Sequence, residues 1–224
     1  MMRRSELLDR LLAVFFPKIC GFCDAVVEYE DYWCGRCPLP RNSGLRELPG
    51  DLGEKIPAVV SPFFYEGAMR RAILRLKRQA DHRLAGFLAG EMAAALNRLG
   101  AGFSADCIVA VPQSLEKQAR GSHDHAALLA DRLAARTGIP VRKGLLLRSE
   151  QSQGQHALSR AGRLRNARAS YHSCEGAALN GERVVLVDDV LTTGATAWAC
   201  ADCLLGLGAG SVCVLTSTTT KYNV

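Results

Sequence analysis

The chain has 224 residues, 48% of them hydrophobic, with 28 basic and 22 acidic side chains and a formal charge of +6. That is enough apolar chain for one full α/β core with a small appendage, and the modest positive charge suits a polyanionic small molecule or a nucleic acid without choosing between them. No run approaches the ~18 apolar residues of a membrane span, and no small-residue cleavage site follows the basic start Met1-Met2-Arg3-Arg4, so the cytoplasm is the expected compartment.

Ser5 to Phe16 reads as a short helix, with Ser5 as N-cap, an apolar stripe at Leu7, Leu8, Leu11, Leu12 and Phe15, and Pro17 as its stop. It is expected to pack on the module that follows; Asp9 and the few basic residues argue against a membrane-surface role. Two cysteine pairs come next, Cys20-Gly21-Phe22-Cys23 and Cys34-Gly35-Arg36-Cys37. Each pair falls on a tight turn whose glycine lets both sulfurs point at one ion, and four thiolates make the soft, closed donor set that Zn2+ prefers in structural sites. A disulfide framework is the competing arrangement, which a cytosolic protein disfavours. No ligand position is left open, so this Zn2+ is expected to stabilise the fold and not to do chemistry. Residues 1–42 thus form the helix and a zinc-ribbon-like module, the Pro- and Gly-bearing 43–57 a linker, and 58–224 a second domain.

Ala58 to Tyr65 is expected to lie at a sheet edge or in a hood, because Pro62 cannot serve a central strand. A helix over about Met69–Arg78 carries Arg70, Arg71, Arg75, Lys77 and Arg78, which can be a solvated face or a polyanion contact. An Ala-rich helix over about Arg83–Leu99 follows. From Asp106 strands and helices alternate. Cys107 to Val111 is a strand, Asp124 to Arg136 a helix, Leu145 to Leu147 a strand, Val184 to Val187 a strand, Ala195 to Leu207 a helix and Ser211 to Thr216 a strand. That rhythm argues for an α/β fold with a parallel sheet covered by helices on both faces. The polar stretch Ser149 to Ala169 is read as a mobile lid over the site. His123, His125 and His156 lie near the expected mouth as surface or cap residues. Cys107, Cys174, Cys200, Cys203 and Cys213 read as small buried filling.

One run concentrates chemistry: Val184-Val185-Leu186-Val187-Asp188-Asp189-Val190-Leu191-Thr192-Thr193-Gly194-Ala195-Thr196. A β-branched, unalternated block is what a strand buried on both faces requires. Two carboxylates at its carboxyl end can accept hydrogen bonds from vicinal sugar hydroxyls or hold water on a divalent cation. The small-residue loop that opens the next helix offers backbone N–H groups and Thr hydroxyls to an anion.

This run resembles the phosphoribosyl-pyrophosphate signature of type I phosphoribosyltransferases, and the whole chain resembles the ComF family, which joins a four-cysteine zinc module to such a domain. The second resemblance also rests on Tyr65-Glu66-Gly67, Leu76-Lys77, Val111-Pro112, Arg120-Gly121, and the spaced Arg148, Gln155, Leu158-Ser159, Arg163 and Asn166. The chain departs from the family pattern at Ser122-His123-Asp124-His125, where an aromatic residue usually follows the Arg-Gly. The resemblance implies a type I phosphoribosyltransferase-like sheet in which Asp188 and Asp189 face the ribose hydroxyls, while Thr192, Thr193, Gly194, Ala195 and Thr196 grip the 5-phosphate. It implies further that the Pro112–Gly121 loop meets pyrophosphate through Lys117 and Arg120. The ligand would be phosphoribosyl pyrophosphate with Mg2+, its phosphoribosyl group passing to an acceptor for which no pocket is legible; no catalytic residue is singled out. The alternative implied by the family is an accessory protein of transforming-DNA uptake, with single-stranded DNA or DNA-uptake proteins as partners and a ligand-binding but non-catalytic domain.

Overall fold

The computed structural model describes residues 17–23, 25–28, 31–45, 55–78, 80–100, 104–114, 116, 119–149 and 166–221. The expected helix at Ser5–Phe16 and most of the expected lid lie outside them. The main elements among the described residues are, in chain order, β1 (Val59–Val60), β2 (Phe63–Phe64), α1 (Gly67–Arg78), α2 (His82–Asn97), β3 (Cys107–Ala110), α3 (His125–Thr137), β4 (Leu146–Arg148), β5 (Tyr171–Ser173), β6 (Arg183–Leu191), α4 (Ala195–Gly206) and β7 (Ser211–Thr219).

The main sheet is parallel throughout, in the order β1-β7-β6-β3, with β2 continuing the β1 edge along β7. Val59 pairs with Val214 and Phe63 with Thr218, so the edge keeps one register across Ser61-Pro62. Pro62 therefore interrupts the strand without shifting it, as a residue lacking an N–H can only at an edge. Outside this edge, Arg41 and Leu45 bridge antiparallel to Phe63 and Val60, so the chain leaving the cysteine module covers strand groups that would otherwise be open.

Period-2 alternation assigns the strand side chains to two cores. Val185, Val187, Cys213, Leu215 and Ile108 join the layer of α1, α2 and α3, whereas Val184, Leu186, Val212, Val214 and Val109 join the layer of α4. Both faces are covered, which is why Val184–Val187 is apolar without alternation. On α1, Met69, Ala72, Ile73 and Leu76 are buried at helical spacing and leave the basic residues on the remaining arc. Asp81 and Asp124 cap α2 and α3, each accepting the N–H three residues on at 2.9 Å. α4 buries Ala195, Ala197, Trp198, Ala199, Cys200, Ala201 and Leu204, and its alanines let it lie close against the sheet.

Two expectations change. The strand at Leu145–Leu147 is found at Leu146–Arg148, and it does not join the parallel sheet. It pairs antiparallel with Tyr171–Ser173 in a separate ribbon packed on α4. Arg148, at the end of this strand and partly exposed, requires an open side that the doubly covered sheet does not offer. β6 also runs past its apolar block through both acids to Leu191, because β7 continues beside it to Thr219. Buried Thr216, Ser217, Thr218 and Thr219 make that extension possible. Ser217 Oγ and Thr218 Oγ1 donate to the Asp189 carbonyl at 2.6 and 3.2 Å, and Thr219 Oγ1 donates to that of Leu191 at 3.2 Å. Polar side chains stay buried here because each hydroxyl has a carbonyl to bond.

Candidate functional site

The cleft follows from unequal strand lengths. β3 stops at Ala110, opposite Val187, with the Val111 N–H still bonded to the Val187 carbonyl at 2.9 Å, while β6 and β7 continue together. The next two residues of β6 are Asp188 and Asp189, so both acids emerge where a neighbouring strand is missing. They line a cavity of about 350 Å³ with Val111, Pro112 and Gln113 after β3, Asp124 and His125 at the start of α3, Arg148 and Tyr171 from the ribbon, Thr192 and Thr196 after β6, Tyr65 after β2 and Lys77 from α1.

Alternation points the two carboxylates to opposite sides of β6. Asp189, 7% exposed, lies on the α1 side, where Lys77 Nζ reaches its Oδ2 at 3.0 Å. Asp188 accepts the Asp189 N–H on Oδ1 at 2.8 Å. Burial, with the neighbouring Asp189 charge, pushes its carboxyl up to about 7, against a smaller opposing pull from that N–H and from Lys77.

After β6 the chain turns at Gly194, whose φ of 78° is a left-handed conformation that residues with a Cβ adopt at a cost. The Gly194 carbonyl then accepts the Trp198 N–H at 2.8 Å, so α4 begins at the loop and turns its first N–H groups toward the cleft end of the sheet. Thr192 is exposed, and the Thr193 hydroxyl accepts the Ala195 N–H at 3.5 Å. The Tyr171 hydroxyl, hydrogen-bonded to Thr196, is pushed up to about 12 chiefly by burial.

The structure thus brings Asp188, Asp189, Thr192 and Thr196 to one cavity, with Gly194 and Ala195 buried behind them. Arg120 is not in its lining; it pairs with Glu116 one helical turn back and its side chain is 75% exposed. Lys117 lies outside the described residues, as do Gln155, His156, Leu158, Ser159 and Arg163. Residues 166–170, at the end of the expected lid, are helical, and Arg168 stacks over Trp198 at 4.1 Å. Sequence reasoning did not place Lys77 in the cleft: it counted the residue among five basic ones and marked Leu76-Lys77 as part of the family pattern without a role. The helical spacing separated it only from the apolar face, not from Arg70 and Arg71.

The basic helix proves to be divided. Arg75 donates to the Gly21 carbonyl at 3.3 Å, stands over the Tyr32 ring at 5.5 Å and pairs with Asp81 at 3.4 Å. Arg70, Arg71 and Arg78 are exposed.

The cysteine module lies against the same last turn of α1, through Arg75. The four sulfurs are mutually within 4.8 Å, with Cys20–Cys37 and Cys23–Cys34 at 3.7 Å and Cys34–Cys37 at 3.6 Å. A tetrahedral ion with metal–sulfur bonds of about 2.3 Å would place its sulfurs about 3.8 Å apart, so this donor set fits. The Arg36 N–H, directed at Cys34 sulfur, lowers that thiol to about 6. Gly35 has φ of 74°, while at Gly21 the requirement is space: a Cβ there would lie 2.1 Å from Tyr32 Cζ. Phe22 of the module meets Phe87 of α2 edge-on at 5.8 Å and Tyr32 stacks on it at 5.7 Å, and Arg41 pairs with Glu91 at 2.7 Å.

A parallel sheet of this order, a diacid at the carboxyl end of β6 and a Thr-Thr-Gly-Ala-Thr turn into α4 define a type I phosphoribosyltransferase-like fold, here with an N-terminal four-cysteine cluster. No protein-family model matches the chain. A curated protein of Salmonella typhi, named DNA utilization protein YhgH, is 30% identical over 209 residues, 90% of each chain. The chain belongs to the ComF family. Among solved structures, an allosteric regulatory enzyme of purine biosynthesis is 30% identical over 59% of this chain, with a TM-score of 0.37. The glutamine phosphoribosylpyrophosphate amidotransferase of B. subtilis is 28% identical over 59%, with a TM-score of 0.39. The chain spans 25% and 26% of the lengths of these two enzymes.

Proposed function

We propose that the cleft binds Mg2+-phosphoribosyl pyrophosphate and supports transfer of its phosphoribosyl group. The observation that carries this is the joint presence, in one cavity, of two carboxylates that can accept from a ribose diol and a helix-opening Thr/Gly loop that can take a phosphate. In this reading Asp188 and Asp189 hold the ribose, and Thr192 to Thr196 hold the 5-phosphate. The Pro112–Gly121 loop takes the pyrophosphate, with Lys117 and Arg120 as its candidate cations, Arg120 exchanging Glu116 for the ligand. Mg2+ arrives on the ligand, where it neutralises the pyrophosphate. In the reaction the C1–O bond to pyrophosphate breaks, a bond from C1 to the acceptor's nucleophilic atom forms, pyrophosphate leaves with the electron pair, and the acceptor gives up a proton. The protein contributes placement and charge compensation. The four-cysteine module holds Zn2+ in a structural role. Among the described residues no helix is long and apolar enough to cross a membrane.

Calorimetric titration with phosphoribosyl pyrophosphate and Mg2+ tests the assignment. Wild type should bind, and the double variant Asp188→Asn/Asp189→Asn should not; equal binding by both would remove the ligand from this cleft. Pyrophosphate release over a panel of amines and bases then tests turnover.

The name of the Salmonella typhi relative and the exposed Arg70, Arg71 and Arg78 favour one further reading, an accessory role in DNA uptake with single-stranded DNA as partner. Retardation of labelled single strands that weakens steeply with salt and on neutralising those three arginines supports it. Arg75 is unsuitable for this test because it holds the module.

A further inference from the structure

We propose that Lys77 is a ligand-binding residue of this cleft, its ammonium set beside Asp189 to meet the ligand's pyrophosphate when the ribose diol takes that carboxylate. The inference rests on the reading of the cleft as a phosphoribosyl pyrophosphate site.

The asymmetry of the pair is the first reason. Asp189 side chain is 9% exposed and fixed in β6, whereas the Lys77 side chain is 40% exposed and enters from the last turn of α1. The partner able to move is the lysine. A lysine carries its charge on a flexible stem with three donors, and Asp189 is its one ion-pair partner among the described residues. Second, Lys77 Nζ stands 3.0 Å from Asp189 Oδ2, so a ligand whose ribose diol reaches that carboxylate lies within reach of the ammonium, and its pyrophosphate offers the lysine a charge-assisted contact.

Third, the cleft needs the cation. Of its described lining residues only Lys77 and Arg148 carry fixed positive charge, and the Arg148 guanidinium stands over the Tyr171 ring at 5.3 Å. Arg120 is turned to Glu116. Beyond the Mg2+ that the ligand carries, Lys77 and Arg148 are the fixed cations that the described lining offers a monophosphate and a pyrophosphate.

The test is calorimetry on the full chain with two probes, Mg2+-phosphoribosyl pyrophosphate and ribose 5-phosphate, which shares the sugar and 5-phosphate but lacks pyrophosphate. Lys77→Met should weaken the first by at least about tenfold and leave the second within about twofold. Lys77→Arg should recover most of the loss, and Arg98→Met, which removes an equal charge from the exposed end of α2, should bind both probes like wild type. Unchanged melting temperatures show that the variants fold. Equal losses on both probes would reduce Lys77 to organising the diacid, and no loss on either would remove it from the site; both outcomes overturn the proposal with wild-type binding intact. Failure of wild type to bind phosphoribosyl pyrophosphate overturns the underlying reading, and this proposal with it.

Discussion

Asp188 carries a measurable consequence at the scale of one residue. Its carboxyl stays protonated to about pH 7 in the folded protein, while an unfolded Asp ionises near 3.9. Between those values the folded state binds the extra proton, so stability falls as pH rises from about 4 to 7 and is level above it. The groups that set this are buried surroundings, Asp189 and Asp124 on one side of the balance, and the Asp189 N–H and Lys77 on the other. Asp188→Asn should therefore melt higher than wild type at pH 8 and lose most of that advantage at pH 5. A constant difference between the two melting curves would contradict the assignment. Gly194 gives a second residue-scale prediction. Forcing a Cβ into its left-handed conformation costs roughly 1–2 kcal/mol, so Gly194→Ala should lower the melting temperature by several degrees. It should also weaken phosphate binding, because the loop and the first turn of α4 are set by that one φ. Thermal melts with and without ligand would measure both effects.

The element that organises these residues is α1. Its apolar face docks on the sheet, Arg75 reaches the Gly21 carbonyl, and Lys77, two residues on, reaches Asp189. One helix thus touches both the cysteine module and the cleft. Arg75→Met keeps the aliphatic packing but removes a charged hydrogen bond and a ring contact, together about 1–2 kcal/mol. The expected result is faster proteolytic release of the module with only a small shift in the main melt. Full retention of protease resistance would show that the aromatic cluster around Phe87 holds the module alone. The other decisive element is the end of β7, whose run Thr216 to Thr219 bonds to β6 carbonyls and holds the diacid segment in strand conformation. A β-branched residue with a hydroxyl suits both demands, strand propensity and a donor for the carbonyl.

In the whole molecule the module and the sheet domain are not independent beads on a linker. Tyr32 belongs to the same buried cluster as Phe63, Ile73, Leu88 and Val187, and Pro40 to Leu45 lies along the sheet edge. Removal of the metal from the four thiols should therefore be felt beyond the module. A strong chelator is expected to lower the melting temperature by roughly 6–12 °C, the shift for a loss of about 3 kcal/mol in a domain of this size. Trp33 emission should change in parallel, since its Nε1 donates to the Cys37 carbonyl at 3.1 Å. Cys23→Ser should reproduce the shift without chelator, and indifference of both readouts would argue against a structural metal.

What the sequence alone determined is what adjacent residues decide together. The four-thiol cluster could be read from two short turns, the β6 core from four consecutive apolar residues, and the Thr192–Thr196 loop from one contiguous run, because a local pattern constrains local geometry without help from elsewhere. The parallel sheet was legible for the same reason, as alternation of periods along the chain. Tertiary structure alone decided where β3 stops relative to β6, and hence that both acids open into a cleft. It also decided that the Leu146–Arg148 strand leaves the sheet for a ribbon, that Arg75 and Lys77 part from their basic neighbours, and that Arg120 turns away. Each of these depends on a partner distant in sequence. A carboxylate, ring or carbonyl that selects one lysine or arginine among five acts only once the chain has brought it within reach, and the helical spacing of those five is the same whichever one it selects.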